Sequence, residues 1–174
     1  MTSRSFSGQE PVPGPVVIMG VAGCGKTTVG RLLAARLGLP YAEADSFHPD
    51  ANIAKMRRGD PLDDQDRHPW LAAIADHIRR ESRLVVSCSA LKHCYRDTLR
   101  QANLRTWFLH LVINPQTAAQ RVSGRPGHFM PAALVNSQFA ALEHLHQEAG
   151  LEVDATRPPE EIIAAVMSAL PPTP

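Results

Sequence analysis

Short apolar or β-branched runs alternate along the chain with longer segments in which apolar residues recur at helical spacing. Repeated strand–helix alternation in one domain predicts an α/β fold, with helices on both faces of a parallel sheet. Two helices have start signals, His68-Pro69 and Asn114-Pro115. The predicted strands are 16–20, 40–45, 84–88, 106–112 and 151–154; the predicted helices are about 26–37, 50–58, 68–82, 92–102, 115–122, 131–148 and 159–169.

The chain has 174 residues, which is enough for one sizeable core and too few for two. Residues 1–14 are rich in Ser, Pro and Gly and predict a disordered leader, followed by a single domain over 15–174. The net charge of +1 gives no reason to expect nucleic-acid or membrane-surface binding. No apolar run reaches the ~18 residues of a membrane helix, and the N-terminus has no signal-peptide core. We therefore expect a cytoplasmic protein.

The clearest motif is Gly-Val-Ala-Gly-Cys-Gly-Lys-Thr at residues 20–27, between the first predicted strand and helix. It matches the phosphate-binding loop (P-loop) G-x-x-x-x-G-K-[ST]. Glycines let backbone amides point at a phosphate, and the following helix N-terminus adds partial positive charge. Lys26 is expected to reach the β- and γ-phosphates of ATP, and the Thr27 hydroxyl to ligate Mg²⁺. The predicted ATP-binding residues are Gly20, Gly23, Cys24, Gly25, Lys26, Thr27, Thr28, Arg121, Arg125 and Pro159.

Two classes of P-loop protein are disfavoured. The GTPase motifs D-x-x-G and N/T-K-x-D do not occur in the sequence. The chain is also short for an oligomer-forming motor ATPase. A small-molecule or nucleotide kinase remains.

The charges are segregated along the chain. Seven carboxylates lie between Glu43 and Asp66, whereas residues 98–142 contain none and include several arginines. A kinase for a polyhydroxylated acceptor needs acids for hydroxyl groups and Mg²⁺, and cations near the transferred phosphoryl group. The two blocks fit that division, although an ordinary solvated face also explains the acids at 60–66.

Glu43 and Asp45 lie two residues apart at the end of the second predicted strand, so their side chains are expected to face one side. Ligands of open α/β sheets collect at such strand ends. We interpret Asp45 as a substrate-binding carboxylate and candidate base, and Glu43 as an outer-sphere Mg²⁺ partner. Helix capping or simple solvation is the alternative for both.

Residues 121–131 combine two arginines with glycine and proline joints and predict a mobile lid. Arg125 is expected to neutralise developing γ-phosphoryl charge, and Arg121 to stack on adenine or touch phosphate. Pro159 lies in a segment that either supplies the other wall of an adenine slot or forms a capped turn. An exposed loop with incidental arginines is the alternative for 121–131.

Several strings resemble the bacterial P-loop gluconokinase family over residues 15–170. Besides the P-loop, they are His48-Pro49, the Asn-Ile-Ala-Lys-Met string at 52–56, Asp64-Gln-Asp-Arg-His-Pro-Trp-Leu at 64–71, Cys-Ser-Ala-Leu-Lys at 88–92, Tyr95-Arg96-Asp97, His-Phe-Met-Pro at 128–131 and Ser137-Gln138-Phe139. Two departures stand out. Glu43-Ala44-Asp45 replaces the usual D-G-D, and His93 stands where an arginine is usual.

The resemblance implies a nucleoside-monophosphate-kinase-like, three-layer fold with a five-stranded parallel sheet and a mobile lid. It implies phosphorylation of D-gluconate by Mg²⁺·ATP to 6-phospho-D-gluconate, and commonly a homodimer. A kinase for another small polyhydroxy acid, or a non-catalytic nucleotide-binding regulator, is the alternative.

Gluconate carries one carboxylate and five hydroxyls, so its pocket needs cations and several oxygens. Ser89, after the third predicted strand, is expected either to bind substrate or to cap the next helix. Direct in-line transfer would rest on Lys26, Asp45 and Arg125. The candidates for the carboxylate are Lys55, Arg58, Arg67 and Lys92; those for hydroxyls are Asp45, His48, Asn52 and Asp66; Ser89 and His128 complete the predicted substrate-binding set.

Overall fold

The computed structural model describes residues 14–124 and 132–171. Five strands pair in parallel in the order β2-β3-β1-β4-β5, which places the first strand at the centre. The strands are β1 (Val16–Met19), β2 (Tyr41–Glu43), β3 (Val85–Ser87), β4 (Trp107–Val112) and β5 (Gly150–Asp154). The helices are α1 (Lys26–Leu37), α2 (Asp50–Arg57), α3 (Asp64–Glu81), α4 (His93–Ala102), α5 (Pro115–Ser123), α6 (Ala132–Ala141) and α7 (Pro159–Ala169).

Helices cover both faces of the sheet, which confirms the three-layer α/β prediction. Alternate residues of β1 enter two different cores: Val16 and Ile18 pack with α1, α5, α6 and α7, whereas Val17 and Met19 pack with α3 and α4. A strand buried on both faces needs a continuous apolar run rather than an alternating one. The fully buried Val-Val-Ile-Met of β1 meets that need.

The predicted start of α3 is wrong by four residues. The helix begins at Asp64, because Asp63 and Asp66 form a reciprocal capping box in which each side chain accepts a hydrogen bond from the other's backbone amide. Pro69, interpreted as the first helical position, lies inside the helix instead.

The predicted end of α6 is also wrong. The helix ends at Ala141 rather than 148, because backbone amides after Ala141 form hydrogen bonds with distant residues instead of helical ones. The amide of Glu143 donates to the Leu91 carbonyl, and the amide of Leu145 donates to Glu152. Helical periodicity in the sequence does not reveal such long-range hydrogen bonds.

The loops after β1 and β3 lie side by side at the carboxyl edge of the sheet. The Gly20 amide, directly after β1, donates to the Ser89 carbonyl after β3 at 3.2 Å. The two sequence regions predicted to bind nucleotide and substrate are therefore neighbours in space. Among the described residues, no helix is long and apolar enough to cross a membrane.

Candidate active site

The P-loop has the glycine-dependent backbone that its motif predicts. Gly20, Gly23 and Gly25 have φ values of 140°, 83° and 99°, in the region that disfavours other residues. A Cβ at Gly23 would lie 2.7 Å from the Ala118 carbonyl oxygen, so α5 packs against the bare backbone there. The loop therefore needs glycine for backbone angle at all three positions and for close approach at Gly23.

Lys26 begins α1 and folds back over the P-loop. Its ammonium group donates to the Gly20 and Val21 carbonyls, each at 3.0 Å, and lies 4.0 Å from the Cys24 sulfur. The cation is thus held at the rim of the loop, next to the amides that would face a phosphate.

Thr27 is connected to Glu43 by a hydrogen bond of 2.8 Å from its hydroxyl to the carboxylate. The same Glu43 oxygen accepts a hydrogen bond from Tyr41 at 2.6 Å, and the Tyr41 hydroxyl also lies 2.9 Å from the Ser87 hydroxyl. Burial, reinforced by Glu43, raises the pKa of Tyr41 to about 12, so this hydroxyl keeps its proton at neutral pH. A hydroxyl and a carboxylate in contact are oxygen ligands of the kind that Mg²⁺ prefers, so these residues fit the expected ion.

Two later segments contact the nucleotide side. Gln138 on α6 accepts a hydrogen bond from the P-loop amide of Ala22 at 2.6 Å. Arg121 on α5 donates to the Ala155 carbonyl at 3.0 Å, in the connection between β5 and α7. Pro159 is the first residue of α7, with Pro158 before it. Arg121 is predicted to stack on adenine or touch phosphate, and the segment of Pro159 to line an adenine slot or form a capped turn; the two residues thus belong to linked segments.

Asp45 does not lie on β2, so its predicted position on the strand is wrong. The strand ends at Glu43, and residues Ala44–Phe47 form a 3₁₀ turn, where the two-residue parity of a strand no longer applies. The Asp45 side chain is exposed and has no hydrogen bond or ion pair within the described ranges. It is therefore available to a substrate hydroxyl, which keeps its predicted role open.

His48 stacks on the buried Trp70 ring, with centroids 4.5 Å apart and an angle of 7° between the planes. Asn52 lies 3.3 Å from its Nδ1 and donates to the Asp66 carbonyl at 2.7 Å. Burial lowers the pKa of His48, so the ring is neutral at pH 7. Trp70 supports the histidine from within the core and donates to the Ala44 carbonyl, next to Asp45.

The predicted carboxylate-binding cations differ in their partners. Lys55 donates to Asp66 at 2.5 Å, and Lys92 donates to Asp64 at 2.7 Å. These hydrogen bonds lower the pKa of both aspartates and raise the pKa of both lysines. The exposed Arg58 pairs with Asp60 at 3.1 Å.

Arg67 differs from these three cations. Its guanidinium carbon lies 5.7 Å from the centre of the Tyr95 ring, and it has no ion pair with any residue in 14–124 or 132–171. Ring contact leaves the guanidinium hydrogens available to an anion.

The loop after β3 is supported by a buried ion pair. Ala90 has φ of 40°, and the fully buried Arg96 donates to the Ala90 and Leu91 carbonyls at 3.0 and 3.1 Å. Arg96 also forms a bidentate contact with Glu148. Burial alone would raise the pKa of Glu148, but hydrogen bonds from Arg96, His93 and Arg100 outweigh it and lower the pKa to about 2.

Ser89 does not cap the next helix, because Lys92 occupies the N-cap position of α4. The substrate-binding alternative for Ser89 remains. Two predicted site residues, Arg125 and His128, lie outside the described residues, as do most of the predicted leader and lid.

Sequence reasoning assigned no role to Tyr41, Gln138, Arg96 or Glu148. Arg96 and Gln138 stand in two of the quoted strings, Tyr95-Arg96-Asp97 and Ser137-Gln138-Phe139. Those strings were a usable signal. Tyr41 and Glu148 have no motif of their own, and only the fold connects them to the P-loop and to Arg96.

The fold and the P-loop define a kinase of the P-loop class, and the family model described as "Shikimate kinase" matches residues 22–171. Gluconokinase from Gluconobacter oxydans is 48% identical over 132 residues, covering 74% of each chain. The chain belongs to the gluconokinase family of P-loop kinases.

Solved structures support this assignment. A gluconokinase from Sinorhizobium meliloti is 42% identical, with a TM-score of 0.85 over 92% of this chain and 93% of that one. A sugar kinase from Janibacter sp. is 45% identical, with a TM-score of 0.85 over 90% and 93% of the two chains.

Proposed function

We propose that the protein transfers the γ-phosphoryl group of ATP to D-gluconate, giving 6-phospho-D-gluconate and ADP. The observation that carries the proposal is the placement of a P-loop beside an acid- and cation-lined acceptor region at one edge of the sheet, in a chain of the gluconokinase family. The Gly20–Ser89 hydrogen bond of 3.2 Å joins the two halves.

On the nucleotide side, the P-loop amides and Lys26 would bind the β- and γ-phosphates. Lys26 would exchange its two carbonyl contacts for phosphate oxygens, so that its charge stabilises the transition state. Thr27 and Glu43 would hold Mg²⁺, which neutralises charge on the transferred phosphoryl group when bound. Tyr41 orients Glu43 for that task through its 2.6 Å hydrogen bond.

On the acceptor side, Asp45 would accept the proton of the attacking primary hydroxyl as that oxygen bonds to the γ-phosphorus and ADP leaves. Arg67 is our choice for the gluconate carboxylate, because no carboxylate of the described residues lies within ion-pair distance of its guanidinium group. His48 and Asn52, held against Trp70 and α3, would bind hydroxyls of the acceptor.

A coupled ADP-release assay tests the reaction, with gluconate, shikimate, other sugar acids and nucleoside monophosphates as acceptors. We expect strong stimulation by gluconate. Preference for a different sugar acid would assign the enzyme to that acid, and ATP binding without acceptor-dependent ADP release would indicate a regulator. Either result would contradict the proposal.

Asp45→Asn tests the assignment of the base. The variant keeps the side-chain size and removes the proton-accepting charge, so kcat should fall about 10²- to 10⁴-fold. The exposed Asp76→Asn, on the outer part of α3, serves as a matched control and should keep full activity. Near wild-type turnover in Asp45→Asn would remove the base role.

We further propose that the protein works as a cytoplasmic homodimer with Mg²⁺ as its metal. Light scattering on the purified chain tests the dimer, and activity after removal and return of Mg²⁺ tests the metal. A monomer at all concentrations, or full activity without divalent ions, would contradict the respective statement.

A further inference from the structure

We propose that His110, His144 and Glu152 form a binding site for a divalent transition-metal ion, best matched by Zn²⁺. The Nδ1 atoms of His110 and His144 lie 2.8 and 3.0 Å from the same Glu152 oxygen. One possible ligand atom from each residue lies within 4.8 Å of the other two. In the part of the chain that the structure describes, this is the one such group of three.

The sheet fixes two of the three ligands. His110 on β4 and Glu152 on β5 are direct register partners in a parallel pair. His110 is 1% exposed, so packing restricts its ring to one orientation. A metal site built on adjacent strands requires little ordering when the ion binds.

The third ligand is held in place by its neighbours. The Leu145 amide donates to Glu152 at 2.9 Å, and Arg96 donates to the His144 carbonyl at 3.3 Å. Leu145 itself is buried. The His144 ring is half exposed, so it can adjust while its backbone stays fixed.

Two imidazoles and one carboxylate are a common ligand set for Zn²⁺ with a fourth, open position. Each Nδ1 lies 2.8–3.2 Å from the Glu152 carboxylate, and the three ligand atoms all lie within 4.8 Å of one another, whereas a tetrahedral Zn²⁺ site would separate them by about 3.3 Å. Binding therefore requires a small adjustment of the side chains, which the half-exposed His144 ring can make. A surface cavity of ≈ 370 Å³, lined in part by His144, Gly150 and Glu152, gives solvent access to the open position.

The proton balance is simple. Because an ionised carboxylate only accepts hydrogen bonds, each Nδ1 carries a proton in the closed arrangement. For a metal ion to bind at each Nδ1, the Nδ1 proton of each neutral ring is released to solvent and Nε2 takes up one proton, so that each ring stays neutral and Nδ1 has a free lone pair. The nearby cation Arg96 does not oppose the ion strongly, because Glu148 neutralises it at 2.6 Å.

This site is distinct from the proposed Mg²⁺ position. Thr27 and Glu43 offer only oxygen ligands, whereas the His110 site offers two nitrogens, which favour transition metals over Mg²⁺. The proposed phosphoryl transfer uses none of the three residues. The ion would instead fasten the segment after α6 to β4 and β5.

The experiment uses the full chain, freed of metal with a chelator and then titrated with Zn²⁺ against a chromogenic competitor. Saturating Mg²⁺ and ADP occupy the nucleotide site throughout. We expect one Zn²⁺ per chain and a rise in Tm on binding. His144→Ala and Glu152→Gln should each weaken Zn²⁺ binding at least about 100-fold, because each removes a direct ligand.

His146→Ala is the matched control, because it removes an exposed imidazole two residues from His144. It should bind Zn²⁺ as wild type does. Substitution with Co²⁺ adds an independent readout: nitrogen and oxygen ligands give visible absorption without a thiolate charge-transfer band. Absence of saturable one-to-one binding, wild-type affinity in both ligand variants, or a thiolate band would each overturn the proposal.

Discussion

The loops that follow β1 and β3 are neighbours, yet they are held in shape by different means. The first, residues 20–25, relies on glycines with positive φ. The second, residues 88–92, contains no glycine and carries Ala90 at φ of 40°, with its carbonyls held by buried Arg96 and, through it, Glu148. The shape of the first loop thus depends mainly on the backbone angles of its own glycines, with one added long-range contact from Gln138. The shape of the second loop depends on Arg96 and on Glu148, which lies 52 residues from Arg96 along the chain.

Substitutions in the two loops should therefore have different effects, the first on catalysis and the second on stability. A changed residue in the first loop acts directly on phosphate contacts. A changed residue behind the second loop should act on the folding free energy first, and on the proposed gluconate binding only through the shape of the loop. The following variants test that separation.

The largest effect is expected for Lys26→Met. Loss of the ammonium group removes charge stabilisation at the transferred phosphoryl group, so kcat should fall about 10²- to 10³-fold or more. The folding free energy should change little, because Lys26 contributes only two carbonyl contacts at the loop rim. Steady-state kinetics and chemical denaturation measure the two quantities. A large loss of stability with retained turnover would break the comparison.

Glu148→Gln should act in the opposite way. It leaves the Arg96 guanidinium buried without a counter-charge, which costs about 3–5 kcal/mol of unfolding free energy. Glu161→Gln, which breaks the exposed pair with Arg157, is the matched control and should cost less than about 1 kcal/mol. Equal stability of the two variants, measured by urea denaturation, would contradict a structural role for Glu148.

The same residue gives a pH prediction. The pKa of Glu148 is lowered from 4.5 to about 2, so its stabilising effect is complete above pH 4.5 and is lost as the pH falls towards 2. The stability difference between wild type and Glu148→Gln should therefore shrink between pH 5 and pH 3. A difference that grows on acidification would contradict the assigned ion pair.

Gly25→Ala and Gly38→Ala form a matched pair at the two ends of α1. Both glycines have positive φ, 99° and 64°, and an added Cβ meets nothing within 4 Å at either. Each substitution should cost about 1–2 kcal/mol of stability from backbone strain alone. Only Gly25→Ala should also weaken ADP binding, because it displaces P-loop amides. Equal nucleotide affinity in both variants, measured by calorimetry, would argue against local control of the first loop.

The smallest stability effect is expected for Lys92→Met, at the end of the second loop. Its ion pair with Asp64 is partly exposed, so the loss should be below about 1 kcal/mol. If Lys92 supports acceptor binding, the KM for gluconate should rise while the KM for ATP stays unchanged. A change confined to the KM for ATP would assign Lys92 to the other half of the site.

The features that the sequence predicted correctly are those that depend on local patterns. The P-loop, the apolar strands and the bounds of α1 and α7 depend on nearby residues, and those predictions are confirmed. The predicted position of Asp45 on the strand is wrong because β2 ends at Glu43 and the chain continues as a 3₁₀ turn. The predicted start of α3 at His68-Pro69 is wrong because Asp63 and Asp66 form a cap earlier in the chain.

Distant partners account for what the sequence did not predict. Arg96 is buried because a carboxylate reaches it from beyond α6, and no spacing rule connects the two. The roles of Thr27, Glu43, Arg67 and the other predicted site residues stay predictions until tested. Their placement at one edge of the sheet follows from the parallel direction of the strands, which the alternating pattern did predict.

The hydrogen bond from the Ala22 amide to Gln138 spans 116 residues. The ribosome releases the P-loop before Gln138, and central β1 can pair with its neighbours β3 and β4 only after they have been made. A nascent chain that stops before α6 therefore lacks one contact of its nucleotide loop. Competence to hold ATP should therefore arrive only after α6 has been made, well after the P-loop motif itself.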